Sequence, residues 1–132
     1  MLEIQDLHVK FHNRDREAVS GVSLTIQDGE ILGLVGESGS GKSVTAMSVA
    51  GLLPRKRCDY TGRILLDGED ITGLDIAQRA QKGISFAFQQ PVRFKGLTVK
   101  DLITLASGKN IGVPEACAYL SEVGLCAKDY ID

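Results

Sequence analysis

The chain has 132 residues, and its 43% hydrophobic and 24% charged residues exclude disordered and fibrous classes and predict one soluble globular domain. Fifteen basic and 17 acidic side chains give a formal charge of -2, which argues against an overall basic surface for nucleic acid. There is no signal-peptide pattern and no stretch of membrane-spanning length, so we expect a cytoplasmic protein. Cys58, Cys117 and Cys126 form no C-x-x-C pair, which favours free thiols.

The first half of the chain reads as strands followed by a helix. Apolar residues alternate from Leu2 to Phe11 and from Val22 to Ile26, which predicts an antiparallel layer of strands. A turn at Asp28 and Gly29 then leads into residues 31–35, whose unbroken apolarity predicts a central parallel strand covered on both faces. Apolar residues recur at helical spacing after Lys42, and Pro54 forbids continuation of that helix.

The second half adds strands and then helices. Residues 62–66 and the turn at Asp67 and Gly68 predict a strand that enters a hairpin. Residues 84–88 predict another strand. A capping box at residues 98–101 opens a helix through Ala106, and residues 114–123 predict a second helix. The predicted fold class is therefore α/β, with an N-terminal antiparallel β layer, a partial parallel core sheet and a C-terminal helical segment.

The segment between the predicted strand 31–35 and the helix carries the clearest chemistry. It reads Gly-Glu-Ser-Gly-Ser-Gly-Lys-Ser, a complete G-x-x-x-x-G-K-[ST] phosphate-binding loop. Glycines in such a loop allow successive N–H groups to face phosphate oxygens, while Lys42 supplies a charge and Ser43 a magnesium ligand. The helix that follows presents its positive end to the same anion. We therefore predict binding of a nucleoside triphosphate by Gly36, Glu37, Ser38, Gly39, Ser40, Gly41, Lys42, Ser43 and Val44.

The residues around the loop resemble one family over essentially the whole chain. The runs Gly-Val-Ser-Leu-Thr-Ile-Gln-Asp-Gly-Glu at 21–30 and Thr-Gly-Arg-Ile-Leu-Leu-Asp-Gly-Glu-Asp-Ile at 61–71 resemble the ABC-type ATPases, a family of P-loop NTPases. Residues 35–54 are similar to the ATP-binding subunits of dipeptide and oligopeptide importers, with Val44 as the most telling position. The resemblance implies ATP and Mg2+ as cofactors.

A different branch of the same family is matched from about Asp75 onward. Arg-Ala-Gln-Lys-Gly-Ile-Ser-Phe-Ala-Phe-Gln-Gln-Pro at 79–91 resembles the ATPase of the Suf iron–sulfur cluster assembly system, as do residues 94–98 and 119–126. Two halves that match two branches favour a chimera with its seam near residues 68–76. A natural intermediate lineage and a coincidence of variable segments are the alternatives.

Family roles transfer to two further residues. Phe11 matches the aromatic residue that stacks on adenine, although a core aromatic at a strand end is an equal alternative. Gln89 matches the Q-loop glutamine, which reaches the catalytic magnesium and whose loop contacts the partner subunit. Lys42 and Gln89 are thus the predicted catalytic residues, and Ser43 and Gln89 the predicted metal ligands. The predicted domains are residues 1–92, up to the Q-loop, and residues 93–132, the start of a helical subdomain.

Several family motifs do not occur in the sequence, namely the LSGGQ segment, the Asp-Glu pair and the switch histidine. Hydrolysis by this chain alone is therefore not expected, because groups that position the nucleophile and complete the pocket are missing. The resemblance also implies that a truncated sheet separates the strands at 31–35 and 84–88 from their neighbours, which favours a rearranged sheet, a homodimer or a complementing fragment.

The expected partner is a membrane permease subunit or a Suf-type scaffold, which would place the protein at the inner membrane face. A non-catalytic nucleotide-binding or interaction module, natural or engineered, and a small-molecule kinase are the alternative functions.

Overall fold

The computed structural model describes residues 1–90 and 92–125, so Pro91 and residues 126–132, with Cys126, lie outside it. The chain divides into two units, Met1–Ala87 and Phe88–Asp132. The elements of the first unit are, in chain order, β1 (Leu2–Phe11), β2 (Val19–Ile26), α1 (Lys42–Ala50), β3 (Cys58–Leu66), β4 (Glu69–Asp70) and α2 (Ile76–Gln81). The elements of the second unit are α3 (Val99–Ser107) and α4 (Val113–Glu122). The strands form one antiparallel sheet in the order β2-β1-β3-β4.

The predicted antiparallel layer is confirmed, and β1 lies at its centre. Ile4 of β1 stands opposite Leu24 on β2 and Ile64 on β3. The pairing shifts register between Ile4 and Leu7, and this bulge brings both residues to the buried face although their spacing is odd. α1 covers that face with Val44, Met47 and Val49. The sheet and α1 therefore share one apolar core.

Two predicted strands are not strands in the structure. Residues 31–35 and 84–88 make no ladder with any strand of the described chain, and the described sheet contains no parallel pair. Ile31 and Val35 are 96% and 97% exposed. Leu32 and Leu34 nevertheless line an apolar cleft of about 220 Å³, together with Ile84, Ser85 and Phe86 and with residues of β1, β2 and α1. A strand needs a neighbouring backbone to pair with, and the apolarity of a segment does not supply one.

An unexpected helix, α2, follows the β3–β4 hairpin. Asp75 caps it by accepting a hydrogen bond from the Gln78 backbone N–H at 2.8 Å, and the Gln78 side chain accepts one from the Asp75 N–H at 2.9 Å. This is a reciprocal capping box, and its D-x-x-Q signature was present in the sequence. The helix has only six residues, so it offered little periodic signal.

Arg79 of α2 is fully buried and ties this helix to α1. Its guanidinium donates to the carbonyl oxygens of Ser48 at 2.6 Å and Val49 at 2.8 Å, near the C-terminal end of α1. It also donates to those of Thr72 at 2.9 Å and Leu74 at 3.1 Å. All four acceptors are neutral carbonyls. Burial lowers the pKa of Arg79, yet an arginine remains protonated at neutral pH.

Asp70 closes the β3–β4 hairpin on its exposed side. Its carboxylate accepts hydrogen bonds from the Thr72 backbone N–H at 2.9 Å and from Arg63 Nε at 3.1 Å. Hydrogen bonds from Thr72, followed by that from Arg63, lower the pKa of Asp70 to about 2. Because the folded pKa lies below the usual 3.8, the ionised carboxylate stabilises the fold above pH 3.8, and this contribution is lost as the pH falls toward 2.

Asp70→Asn is therefore expected to weaken the pH dependence of the free energy of unfolding at acidic pH. The free energy of unfolding of the wild-type chain should fall more steeply between about pH 4 and pH 2 than that of the variant, as measured by urea denaturation followed by circular dichroism. Asp15→Asn, which alters an exposed carboxylate with no hydrogen-bond partner in the described part of the chain, is the control. Equal slopes for wild type and Asp70→Asn would contradict the expectation.

The helices of the second unit confirm their predicted caps. The Thr98 hydroxyl accepts a hydrogen bond from the Asp101 N–H at 3.2 Å, and the Asp101 carboxylate accepts one from the Thr98 N–H at 2.9 Å. Pro114 lies in the first turn of α4. Ile111, Ala116 and Leu120 are buried. Cys58 and Cys117 are free thiols, and no helix within the described ranges is long and apolar enough to cross a bilayer.

Candidate functional site

The predicted phosphate loop lies between the extended segment 31–35 and α1. Gly39 and Gly41 have φ values of +83° and +90°, in the left-handed region that favours glycine. A Cβ atom on Gly41 would lie 2.4 Å from the carbonyl oxygen of Ala18, so only glycine allows the loop to meet the end of the β1–β2 hairpin. Gly41 thereby sets the distance between the loop and that hairpin.

The N-terminal end of α1 is open to an anion. Gly41 is its N-cap, and neither a capping side chain nor an acidic residue in the first turn covers the amide groups there. Such amides and the helix dipole together favour negative charge. The end of this helix can therefore accept phosphate oxygens without displacing a carboxylate of its own first turn.

Lys42 bends back over the loop. Its Nζ donates to the carbonyl oxygens of Gly36 at 2.8 Å and Glu37 at 2.6 Å, and to the Ser40 hydroxyl at 3.1 Å. All three acceptors are neutral, and no carboxylate of the described chain pairs with this ammonium group. A phosphate group can replace such acceptors with a stronger, charged one. Lys42 is thus held at the loop by neutral acceptors that an anion can replace.

A cavity of about 470 Å³ lies between the loop and the turn that joins β1 to β2. Its lining residues are Phe11, Asn13, Arg14, Arg16, Glu17, Ala18, Gly39, Ser40, Gly41, Lys42, Ser43 and Val44. An aromatic ring therefore shares one cavity with the ammonium group of Lys42, the hydroxyl of Ser43 and the loop backbone. This combination suits a ligand with a flat, stacking part and a polyanionic part.

The predicted site residues do not all line this cavity. Phe11 and residues 39–44 do. Gly36 and Glu37 reach the site through their carbonyl contacts with Lys42, whereas Ser38 is exposed on the loop. Gln89 belongs to the second unit and is exposed, and its predicted role at the metal stays a prediction.

Arg14 and Arg16 line the cavity but were not singled out from the sequence. The only local signal was their position in the polar turn that follows Phe11. That the turn faces the phosphate loop follows from the hairpin, where the Ala18 N–H donates to the Val9 carbonyl oxygen at 2.7 Å, and from the contact of Gly41 with Ala18. Both contacts join residues that are distant in the sequence.

A magnesium ion could be held here only in part by the protein. No group of three or more His, Cys, Asp or Glu side chains in the described residues could hold a metal. Ser43, the second residue of α1, offers a hydroxyl oxygen at the cavity wall. Magnesium commonly takes one or two protein oxygens together with phosphate oxygens and water. The residues present fit that mode of binding and no other.

The fold and the loop define the chain as an α/β protein with a phosphate-loop site. Residues 19–129 match the family described as ABC transporter, and the chain belongs to this family. It is 39% identical over 108 residues to an uncharacterized ABC transporter ATP-binding protein of Methanocaldococcus jannaschii, covering 80% of this chain and 40% of the relative.

Two further relatives are named by their transport systems. The chain is 45% identical over 115 residues to a probable D,D-dipeptide transport ATP-binding protein of Escherichia coli, covering 78% of this chain and 35% of the relative. It is 43% identical over 86 residues to a lipopolysaccharide export system ATP-binding protein of Haemophilus influenzae, covering 65% and 34%. The chain thus spans 34 to 40% of the length of these three relatives.

Proposed function

We propose that this chain binds ATP as the N-terminal portion of an ABC-type nucleotide-binding domain. The observation that carries the proposal is the shared cavity, in which Phe11 and the phosphate loop face the same space. Adenine would stack on Phe11, and the terminal phosphates would take the place of the loop carbonyls at Lys42. Membership of the ABC transporter family supports ATP as the nucleotide.

Magnesium would accompany the nucleotide, held by the Ser43 hydroxyl and by phosphate oxygens. When bound, the ion neutralises charge on the phosphates and orients them. The chain's own contribution is to bind and orient the nucleotide through Lys42 and the backbone of residues 36–41. Gln89 is proposed as a second oxygen ligand from the Q-loop, by analogy with the family.

In a complete protein, binding and hydrolysis of MgATP would be coupled to a partner. The dipeptide and lipopolysaccharide systems named for the relatives favour a membrane permease, with the chain at the inner membrane face. The Suf-like sequence of residues 79–91 favours a Suf-type scaffold instead. We propose that the chain is a chimera with a seam near residues 68–76, which would explain its resemblance to both branches of the family. Because the Q-loop faces the partner in this family, partner choice would follow the second half of the chain.

Binding of the chain to a purified dipeptide permease and to a purified Suf-type scaffold complex separates these partners. Retention of the chain by the scaffold alone is the expected result, and retention by the permease alone would contradict it. A homodimer or a complementing fragment would accompany either partner, because the described residues provide no strand next to residues 31–35.

The binding step is tested by calorimetric titration of the chain with ATP in the presence and absence of Mg2+. We expect saturable binding that Mg2+ strengthens. Ser43→Ala should reduce the factor by which Mg2+ raises the affinity for ATP by at least about tenfold. Changes to the surroundings of a metal site typically lower metal affinity on this scale. Ser121→Ala, which removes the hydroxyl of an exposed serine of α4 outside the cavity, is the control and should bind as wild type. A titration without heat change from a folded chain would contradict the proposal.

A non-catalytic nucleotide-binding module is the second candidate, favoured by the contacts of Lys42 and the phosphate loop, which suit binding of a phosphate chain. Phosphate release from MgATP distinguishes it from an ATPase, since the module binds ATP without turnover. We expect no turnover by this chain alone. Transfer of phosphate to a small acceptor would instead support the alternative function of a small-molecule kinase.

A further inference from the structure

Two arginines form the wall of the cavity opposite the phosphate loop. Arg14 and Arg16 lie in the turn between β1 and β2 and line the same cavity of about 470 Å³ as residues 39–44. The Arg14 N–H donates to the Phe11 carbonyl oxygen at 3.0 Å, so the turn folds back directly after the aromatic residue. Both arginines are exposed, as a site that takes ligands from solvent requires.

Within residues 1–90 and 92–125, neither guanidinium group has a protein partner. Among the residues that the structure describes, the side chains of Arg14 and Arg16 make no hydrogen bond and no ion pair. The acidic residue of the cavity wall, Glu17, is engaged by His8, whose Nδ1 lies 2.9 Å from the carboxylate. The hydrogen bond with His8 lowers the pKa of Glu17 and raises that of His8. Glu17, the carboxylate that lines the cavity, is therefore already paired, whereas Asp15, which stands between the two arginines in the sequence, does not line the cavity.

The charge of the cavity is thus opposite to that of the chain. Arg14, Arg16 and Lys42 place three positive charges around the cavity against the paired carboxylate of Glu17, although the whole chain carries -2. A guanidinium presents N–H groups in a planar fork that matches two phosphate oxygens. Unpaired guanidinium groups opposite a phosphate loop are suited to the side of a phosphate chain that the loop leaves uncovered.

We propose that Arg14 and Arg16 bind the phosphate chain of the nucleotide from the side opposite the phosphate loop. The inference rests on the proposed function, since it assigns these residues to the same ligand. It makes the β1–β2 turn a second anion-binding element, so that the ligand is held between the turn and α1. The arginines raise affinity for any polyphosphate and contribute little to binding of the uncharged nucleoside.

The test is a calorimetric comparison of Arg14→Gln, Arg16→Gln and the double variant with wild type. Each single change should weaken binding of MgATP about fivefold at low salt, the scale of one exposed charge pair in contact, and the double change about 25-fold if the effects add. The loss should shrink between about 0.05 M and about 0.5 M NaCl, because salt screens exposed charges. Adenosine binding should be unchanged.

Arg63→Gln is the matched control, because it removes the same charge from β3 at a residue that does not line the cavity. It should bind MgATP within about twofold of wild type, since a distant exposed charge is screened. Arginine variants that bind as tightly as Arg63→Gln would overturn the inference. Thermal unfolding of every variant shows that the fold is kept.

Inorganic tripolyphosphate separates this inference from the proposed function. If wild type fails to bind MgATP, the proposed function is wrong, and tripolyphosphate still decides on the arginines because it needs no adenine site. Binding that Arg14→Gln and Arg16→Gln weaken supports the second anion-binding element. Tripolyphosphate binding that is absent or unaffected by both variants overturns it.

Discussion

Lys42→Ala should weaken binding of MgATP by roughly 10- to 100-fold, the range for loss of a hydrogen bond to a charged group. In the free protein the ammonium group rests on the carbonyl oxygens of Gly36 and Glu37 and on the Ser40 hydroxyl. Phosphate would replace these neutral acceptors by charged ones, so the interaction is much stronger in the complex than in the free chain. The variant loses that difference, and calorimetry measures it directly.

The fold should tolerate this substitution. Lys42 makes no ion pair with any described residue, and it lies at the first position of α1, where alanine is a good helix former. We expect a midpoint of thermal unfolding within a few degrees of wild type, so any loss of affinity reports on the site. Lys56→Ala, which removes an exposed lysine outside the cavity, is the control. Equal affinities for Lys42→Ala and Lys56→Ala would contradict the assignment.

Arg79→Met should destabilise the first unit by about 3–5 kcal/mol, because hydrogen bonds from a charged donor contribute about 1.5–3 kcal/mol each and the cost of burying the guanidinium offsets part of their sum. The change leaves the carbonyl oxygens of Ser48, Val49, Thr72 and Leu74 without the guanidinium that they share. The oxygens of Thr72 and Leu74 keep the donor from Arg55, and that of Ser48 keeps the Gly51 N–H. The loss therefore falls mainly on Val49, and a buried carbonyl left unsatisfied costs about 1–3 kcal/mol. It also removes a positive charge near the C-terminal end of α1, where a cation is favourable.

Urea denaturation followed by circular dichroism measures this effect. A small domain has about 5–15 kcal/mol of stability, so loss of a cooperative transition is within the expected range. Arg55→Met is a matched control, because Arg55 is exposed and also donates to the carbonyl oxygens of Thr72, at 3.0 Å, and Leu74, at 3.3 Å. It should cost less than about 1 kcal/mol. A free energy of unfolding for Arg79→Met within 1 kcal/mol of wild type would show that methionine packs equally well there.

Arg79→Lys tests whether charge alone is sufficient. A lysine keeps the positive charge but has three donors on one nitrogen in place of a planar fork. It cannot reach four carbonyl oxygens that lie on α1 and on the segment before α2. We expect a stability between those of wild type and Arg79→Met, and a value equal to wild type would contradict a role for the guanidinium geometry.

The family, the phosphate loop and the helix caps could be read from the sequence because each rests on a contiguous stretch of residues. The loop at residues 36–43 contains its own glycines, lysine and serine, and the capping box of α3 is completed by Thr98 and Asp101, three residues apart. The alternation of β1 and β2 likewise predicted an antiparallel layer. Such features depend on local backbone conformation and on side chains that are near neighbours.

Only the tertiary structure decided which residues meet across the chain. Residues 31–35 have the composition of a buried strand, yet they form no ladder, because pairing depends on a neighbouring strand rather than on apolarity. Arg79 was not singled out from the sequence, yet it is fully buried, because carbonyl oxygens of α1 and of the loop before α2 converge on it. Arg14 and Arg16 face the phosphate loop because the β1–β2 hairpin folds against Gly41, and no local pattern encodes a contact between residues so far apart.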